Sequence, residues 1–229
     1  MTTSGTYSFN PTLTDIVLDA WDRLGVRGPE VTATQIVSAR RSLNYCLVRF
    51  ANNPVNLWNV ELVSIPLIQG TATYAVDPST VTILDVYRTI NTGGTTQDII
   101  LSSLSRTDYA SIPNKTTQAP PTSYWFDHLL SPTITLYPTP DQTSYYVLHY
   151  YRMTQIQDAD PKNNQTVAVP YLFLEALCSA VAAHLAMKWK PDMAPALLEY
   201  AKQTWAEAAL ENRERAPLYL SPVLDGYFY

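Results

Sequence analysis

The sequence predicts an α+β fold: a bundle of about four helices interrupted by an antiparallel β-sandwich or barrel-like module, with an extended C-terminal tail. Three observations predict it. Apolar residues recur at helical spacing in two stretches of the chain. Between those stretches the period changes to two, with turn residues at short intervals. The final segment is apolar and aromatic, where chain ends are ordinarily polar. The helical domain is expected over residues 10–57 and 165–213, the β-rich module over 58–157 and the tail over 214–229.

The first helix starts at Asn10-Pro11 or at Thr12, since Asn before Pro makes a good cap and Thr12 with Asp15 forms an Asp-bearing variant of a capping box. Leu13, Ile16, Val17, Ala20 and Leu24 are its apolar stripe. Gly25 or Gly28-Pro29 ends it. Thr32 and Gln35 open the second helix by the same pattern. Ile36, Ala39, Leu43, Leu47 and Phe50 line one face, and Asn52-Asn53-Pro54 stops it.

From about Trp58 the sequence reads as strands. They are expected over 61–65, 71–76, 81–90, 97–101, 122–127, 133–137 and 145–153. Gly70, Asp77-Pro78-Ser79 and Asn91-Thr92-Gly93-Gly94 supply turns, the last a strong hairpin signal. Residues 105–112 read as a short helical turn. Residues 158–169 form a polar connector. Pro170 opens a third helix with Leu174, Leu177, Cys178, Val181, Leu185 and Trp189 on one face. Lys190-Pro191-Asp192 ends it and caps a fourth, which carries Ala196, Leu197, Tyr200, Ala201 and Ala208.

Composition narrows the function. A 46% hydrophobic fraction over 229 residues is enough for a real core. Only 15% of residues are charged, and there are 16 Tyr. Tyr favours strands and also suits protein interfaces, so both readings stand. The net charge of −5 argues against the usual basic nucleic-acid binder, though not against a surface past which DNA slides. Cys46 and Cys178 fall on apolar helix faces and read as buried free thiols. Met1 to Asn10 lacks the pattern of a signal peptide, and no apolar run approaches the ~20 residues that span a bilayer. A soluble protein made in a reducing compartment, with no membrane partner, is expected.

No catalytic or metal constellation stands out, and no cofactor is expected. His128, His149 and His184 lack metal-ligand spacing to one another and to Cys. Ser179 near His184 lacks a nucleophile elbow. Glu61, Asp85, Asp127 and Asp141 lie in the β region, and two of them facing one cleft would suit a glycosidase. Gly93-Gly94 has no helix or Lys after it and is no phosphate loop. Arg40-Arg41 reads as a solvated helix face.

The tail is the candidate site. Leu218, Tyr219, Leu220, Val223, Leu224, Tyr227, Phe228 and Tyr229 crowd the last twelve positions. Such an end either folds back on its own core or docks on another chain. Pro217 and Pro222 keep it extended, which lowers the entropy lost on docking.

Several motifs, in order, carry a resemblance. Trp58 precedes the first strand, and Ile68-Gln69-Gly70-Thr71-Ala72-Thr73-Tyr74-Ala75-Val76 gives a turn-and-strand entry. Ser105-Arg106-Thr107-Asp108-Tyr109 follows. Pro120-Pro121-Thr122-Ser123-Tyr124-Trp125 precedes Ile134-Thr135-Leu136-Tyr137-Pro138-Thr139-Pro140-Asp141, and Tyr146 to Arg152 returns. Val169-Pro170-Tyr171-Leu172 leads into an alanine-rich helix ending Lys188-Trp189-Lys190-Pro191-Asp192. Over about residues 10 to 215 the chain resembles the head-to-tail adaptor proteins of short-tailed phages, the tail tubular protein A-like or head completion adaptor family. It departs from the family at Gln118-Ala119-Pro120, where a Gly before the Pro is expected.

The resemblance implies a structural virion protein, made in the host cytoplasm, that forms a ring of twelve copies beneath the portal protein and joins the DNA-filled head to the tail. The helical domain would meet the portal, and the C-terminal segment would bind it. The β-module would face nozzle, fibre or spike proteins. DNA would pass through the channel during ejection without sequence-specific binding. Two rivals come from other classes: a virion-associated cell-wall glycosidase, and a carbohydrate-binding module using exposed Tyr and Trp.

Overall fold

Thr12 sets the start of the first helix. In the computed structural model, which describes residues 5–52, 57–92, 95–159 and 165–212, helix α1 spans Leu13–Arg23. The Thr12 hydroxyl accepts from the Asp15 N–H, and the Asp15 carboxylate accepts from the Thr12 N–H at 2.9 Å. Two orphan donors of the helix end are thereby satisfied, a cap worth about 1 kcal/mol. Helix α2, Ala33–Ala51, starts the same way on Thr32 and Gln35. After α1 the backbone turns back at Gly25, whose φ of +71° favours a residue without Cβ.

Helix α3 is the short Arg106–Ser111, capped by Ser105 and Asp108. That box explains the Ser-Arg-Thr-Asp motif, and Tyr109 beyond it stacks on Trp125 at 5.3 Å. Helices α4, Leu174–Trp189, and α5, Ala194–Glu211, follow the β region.

The expectation of a single apolar face on α4 is corrected. Leu174, Ala176, Leu177, Cys178, Ser179, Val181, Ala182, Ala183, Leu185 and Ala186 are all buried, so burial extends around the middle of the helix, while Glu175 at its start and Met187 to Trp189 at its end stay exposed. Helices α1, α2 and α5 pack around it. Its small residues let them approach closely. Trp189, assigned to the buried face, is 46% exposed, and Ile36 of α2 is 40% exposed. The same helix corrects a second expectation. With its preceding turn, Tyr171–Trp189 is long and apolar enough to cross a membrane, but two thirds of that stretch is buried inside the protein, as in a core helix.

Eight strands are described. They are β1 (Val60–Pro66), β2 (Thr73–Ala75), β3 (Thr80–Thr92), β4 (Thr95–Ile100), β5 (Ser102–Ser103), β6 (Ser123–Phe126), β7 (Thr133–Tyr137) and β8 (Tyr146–Thr154). They form two four-stranded sheets, in the orders β1-β8-β3-β4 and β2-β7-β6-β5. The first is antiparallel throughout. In the second, β5 runs parallel to β6, an exception to the antiparallel pattern. Neither sheet closes on itself, so the barrel-like expectation fails among the described residues. The hairpin glycines Gly93 and Gly94 lie outside those residues, yet Thr92 opposite Thr95 leaves a two-residue connection as expected.

Two clusters of buried side chains organise the molecule. One joins α1, α2, α4 and α5 around Trp21, Leu43, Phe173 and Leu177, with Trp58 and Val81 from the β region packed against it. The other collects Tyr74, Ile134, Leu136 and Tyr124 from one sheet with Val86, Tyr146, Leu148 and Tyr150 from the other. The loop that departs from the family pattern needs no glycine. Ala119 donates its N–H to the Thr139 carbonyl at 2.9 Å. Its φ is not positive, since Ser144 is the non-glycine with positive φ among the described residues.

Candidate assembly surfaces

The tail residues Leu218, Tyr219, Leu220, Val223, Leu224, Tyr227, Phe228 and Tyr229 lie outside the described residues. What is described is the helical surface before them. An open groove of about 1090 Å³ runs between the segment Tyr7–Pro11 and the faces of α1 and α4. Tyr7, Phe9 and Tyr171 stand exposed at its mouth.

The charged residues Asp19, Arg23 and Glu175 of the groove are tied to one another. Arg23 reaches from α1 to Glu175 of α4 with both terminal nitrogens, at 2.8 and 3.0 Å. Its Nε donates to Asp19 at 3.0 Å, and Nη1 also donates to Ser179 Oγ at 2.9 Å. Tyr200 of α5 donates to Glu175 at 3.1 Å. The hydrogen bonds from Arg23 hold the Glu175 carboxyl below the usual range. Burial, reinforced by a hydrogen bond to Asp19, pushes the Cys178 thiol up. A thiol so shifted stays protonated at neutral pH and is a poor nucleophile. Cys46, also free and buried, is pushed up to about 12 by desolvation. This arrangement ties three helices together.

Three of the four glycosidase candidates are engaged locally, and the fourth, Asp85, stands exposed at the irregularity of β3 between Ile83 and Val86. Asp127 accepts from the Thr133 N–H and hydroxyl, each at 2.6 Å, and so closes the β6–β7 turn. Asp141 accepts from the Tyr146 hydroxyl at 2.9 Å. Glu61 pairs with Arg152 at 2.9 Å. The structure assigns these three to local architecture and does not bring them together as an acid/base pair. Among the described residues no group of three His, Cys, Asp or Glu could hold a metal ion. His149 accepts or donates to Ser64 Oγ at 2.7 Å and stacks on Tyr87 at 4.9 Å. His128 packs edge-on to Phe126, and His184 is held neutral by burial and nearby Arg49 and Lys188.

The outer face of the first sheet was missed by the sequence reading. In register, Ser64 lies opposite His149, His149 opposite Tyr87, and Tyr87 opposite Ile100. Leu62 lies opposite Tyr151 in the next row. Leu62 is 49% and Ile100 80% exposed, so this face carries apolar side chains to its two edges. The signal was present in β8, which is apolar at both parities: Tyr146, Leu148 and Tyr150 inward, Val147 and Tyr151 outward. The inward set explains why these tyrosines do not make a sugar platform.

Inside the β region Arg88 is buried at 6% exposure, with Nε and Nη1 lacking a hydrogen-bond partner. Its guanidinium carbon sits 5.2 Å from the centre of the Tyr146 ring. Burial and the bond to Asp141 push the Tyr146 hydroxyl up to about 12.

No curated protein matches this chain. The family model described as SU10 adaptor protein matches residues 11–223, nearly the whole length. That match agrees with the order of motifs, the helical region split by strands and the structural use of the carboxylates. The chain belongs to the SU10 adaptor family and is a structural component of the virion's head–tail junction, an adaptor rather than an enzyme.

Proposed function

We propose that this chain forms a ring of twelve copies beneath the portal protein and continues the DNA channel toward the tail. The carrying observation is the family match over residues 11–223. In this reading residues 10–57 and 165–213 act as one helical domain against the portal. Residues 58–157 act as a sandwich-like module whose two sheets share one core, turned toward nozzle, fibre or spike proteins. The free chain is monomeric and assembles on the portal, where each docked copy raises the effective concentration for the next. DNA passes without sequence-specific contact, favoured by the acidic balance of the chain.

The tail, residues 214–229, binds the portal through Leu218, Tyr219, Leu220, Val223, Leu224, Tyr227, Phe228 and Tyr229. Apolar segments of this kind dock by extended pairing or by anchors in pockets. Deleting Pro217 to Tyr229 is expected to leave a folded chain, measured by circular dichroism, that no longer co-sediments with portal rings. Normal co-sedimentation of the truncated chain would refute the assignment of the tail.

A further inference from the structure

We infer that the free edges of β1 and β4 pair between neighbouring copies, joining their four-stranded sheets into one continuous antiparallel sheet around the ring. The inference rests on the ring reading above and names the surfaces that make it.

Among the described residues no strand pairs with the outer edge of β1 or of β4. Natural edges are ordinarily blunted by Lys, Pro or a bulge. β4 reads Thr-Thr-Gln-Asp-Ile-Ile and pairs with β3 in unbroken register. β1 pairs with β8 equally regularly and has one Pro, at its last position.

The backbone alternation identifies the groups on offer. Leu101 donates its N–H to the Val86 carbonyl, so the bonded positions of β4 are Ile99, Gln97 and Thr95. Thr96, Asp98 and Ile100 therefore direct their N–H and C=O groups away from the sheet. By the same count from Leu67 and Tyr146, Val60, Leu62 and Ser64 do so on β1. Because the sheet has an even number of alternating strands, β4 of one copy runs antiparallel to β1 of the next. Both sets of outward positions carry side chains on the same outer face, so the pairing keeps that face continuous.

One register matches the chemistry. With Ile100 opposite Leu62, Asp98 falls opposite Ser64 and Ile99 opposite Val63. Two apolar pairs form, one on each face, and the carboxylate meets a hydroxyl rather than a like charge. Ile100, 80% exposed in one copy, would be covered by this pairing. The occupant is a second copy because the two edges complement each other in length, direction and side-chain order.

The test uses the full chain with purified portal rings. Cysteines at Ser64→Cys and Asp98→Cys would stand about 5.5 Å apart across the junction, within disulfide reach. Oxidation of assembled rings should give a ladder of multimers from the double variant and none from either single variant. Asp98→Pro removes one outward N–H and no backbone bond to β3, losing there the side-chain bond from the Thr89 hydroxyl. It should leave the monomer folded by circular dichroism and abolish ring formation. Rings of the unaltered chain, with no ladder from the double variant and normal assembly of Asp98→Pro, overturn the pairing while leaving the ring intact. Absence of any ring from the unaltered chain overturns the ring reading and the pairing with it.

Discussion

Arg23 in the helical region and Arg88 in the β region show how differently the two parts are finished. Arg23 meets Asp19, Glu175 and Ser179 across α1 and α4. Arg88 is more deeply buried and has two nitrogens without a partner. The same contrast holds for the backbone. A helix satisfies its own N–H and C=O groups except at its ends, so the exposed Tyr45 and Val48 of α2 sit on a closed surface. The strands β1 and β4 leave an open row of groups on each edge. Helices close their backbone bonding within the chain, whereas a sheet closes its own only by meeting more strand. The lateral joining of copies is therefore expected to run through the β region, with the helical region presenting a finished surface to the portal.

The largest effect that can probe this contrast is in α4. Leu177 is fully buried, and Leu177→Ala should lower unfolding stability by about 2–5 kcal/mol in denaturant melts. Leu62→Ala, at the sheet edge, should change the monomer by less than about 0.5 kcal/mol yet weaken ring assembly. Equal loss of monomer stability in both variants would break the comparison. Arg88→Met comes next. Replacing a buried guanidinium with two unbonded nitrogens by an apolar chain of similar length should raise stability by about 1 kcal/mol, even after loss of the contact with Tyr146. A large fall in the melting midpoint would mean that the charge is compensated.

Acidification is the smallest effect and acts on the helical region. Glu175 is held below its ordinary value of 4.5 by Arg23, so its contribution is complete above that pH and is lost as pH falls through its folded pKa. His184 lies below its ordinary 6.5 because burial disfavours the charged form. The unfolded chain therefore takes up a proton before the folded one, and stability declines as pH drops below 6.5. Thermal melts across this range should show the decline begin near neutrality for the unaltered chain and later for His184→Gln. Identical profiles would show that His184 does not contribute.

Helices α1, α2 and α3 start on their own chemistry, Thr12 with Asp15, Thr32 with Gln35 and Ser105 with Asp108. Helices α4 and α5 have no side-chain cap, so the expected cap at Lys190-Pro191-Asp192 is not formed and these two were legible from apolar spacing alone. The strands were legible where alternation was clean, as at residues 133–137. The burial of α4 beyond one face was not, because alanine is compatible with both a surface and a tight interior, and only the neighbours decide. β5 was missed since a two-residue strand has no period to read. The assembly edge was invisible for a related reason. Edge position depends on which strands pair, and the β1-β8-β3-β4 order brings together segments about 90 residues apart, as Glu61 and Arg152 are in the 91-residue separation of their ion pair. The tail remains a reading from the sequence, since its residues lie beyond those described.

Electron microscopy of the purified chain mixed with its portal ring tests the central claim most directly. A second ring bound coaxially at the portal's base, with the β-region pointing away from it, is the predicted result. A folded chain that leaves the portal bare would contradict it.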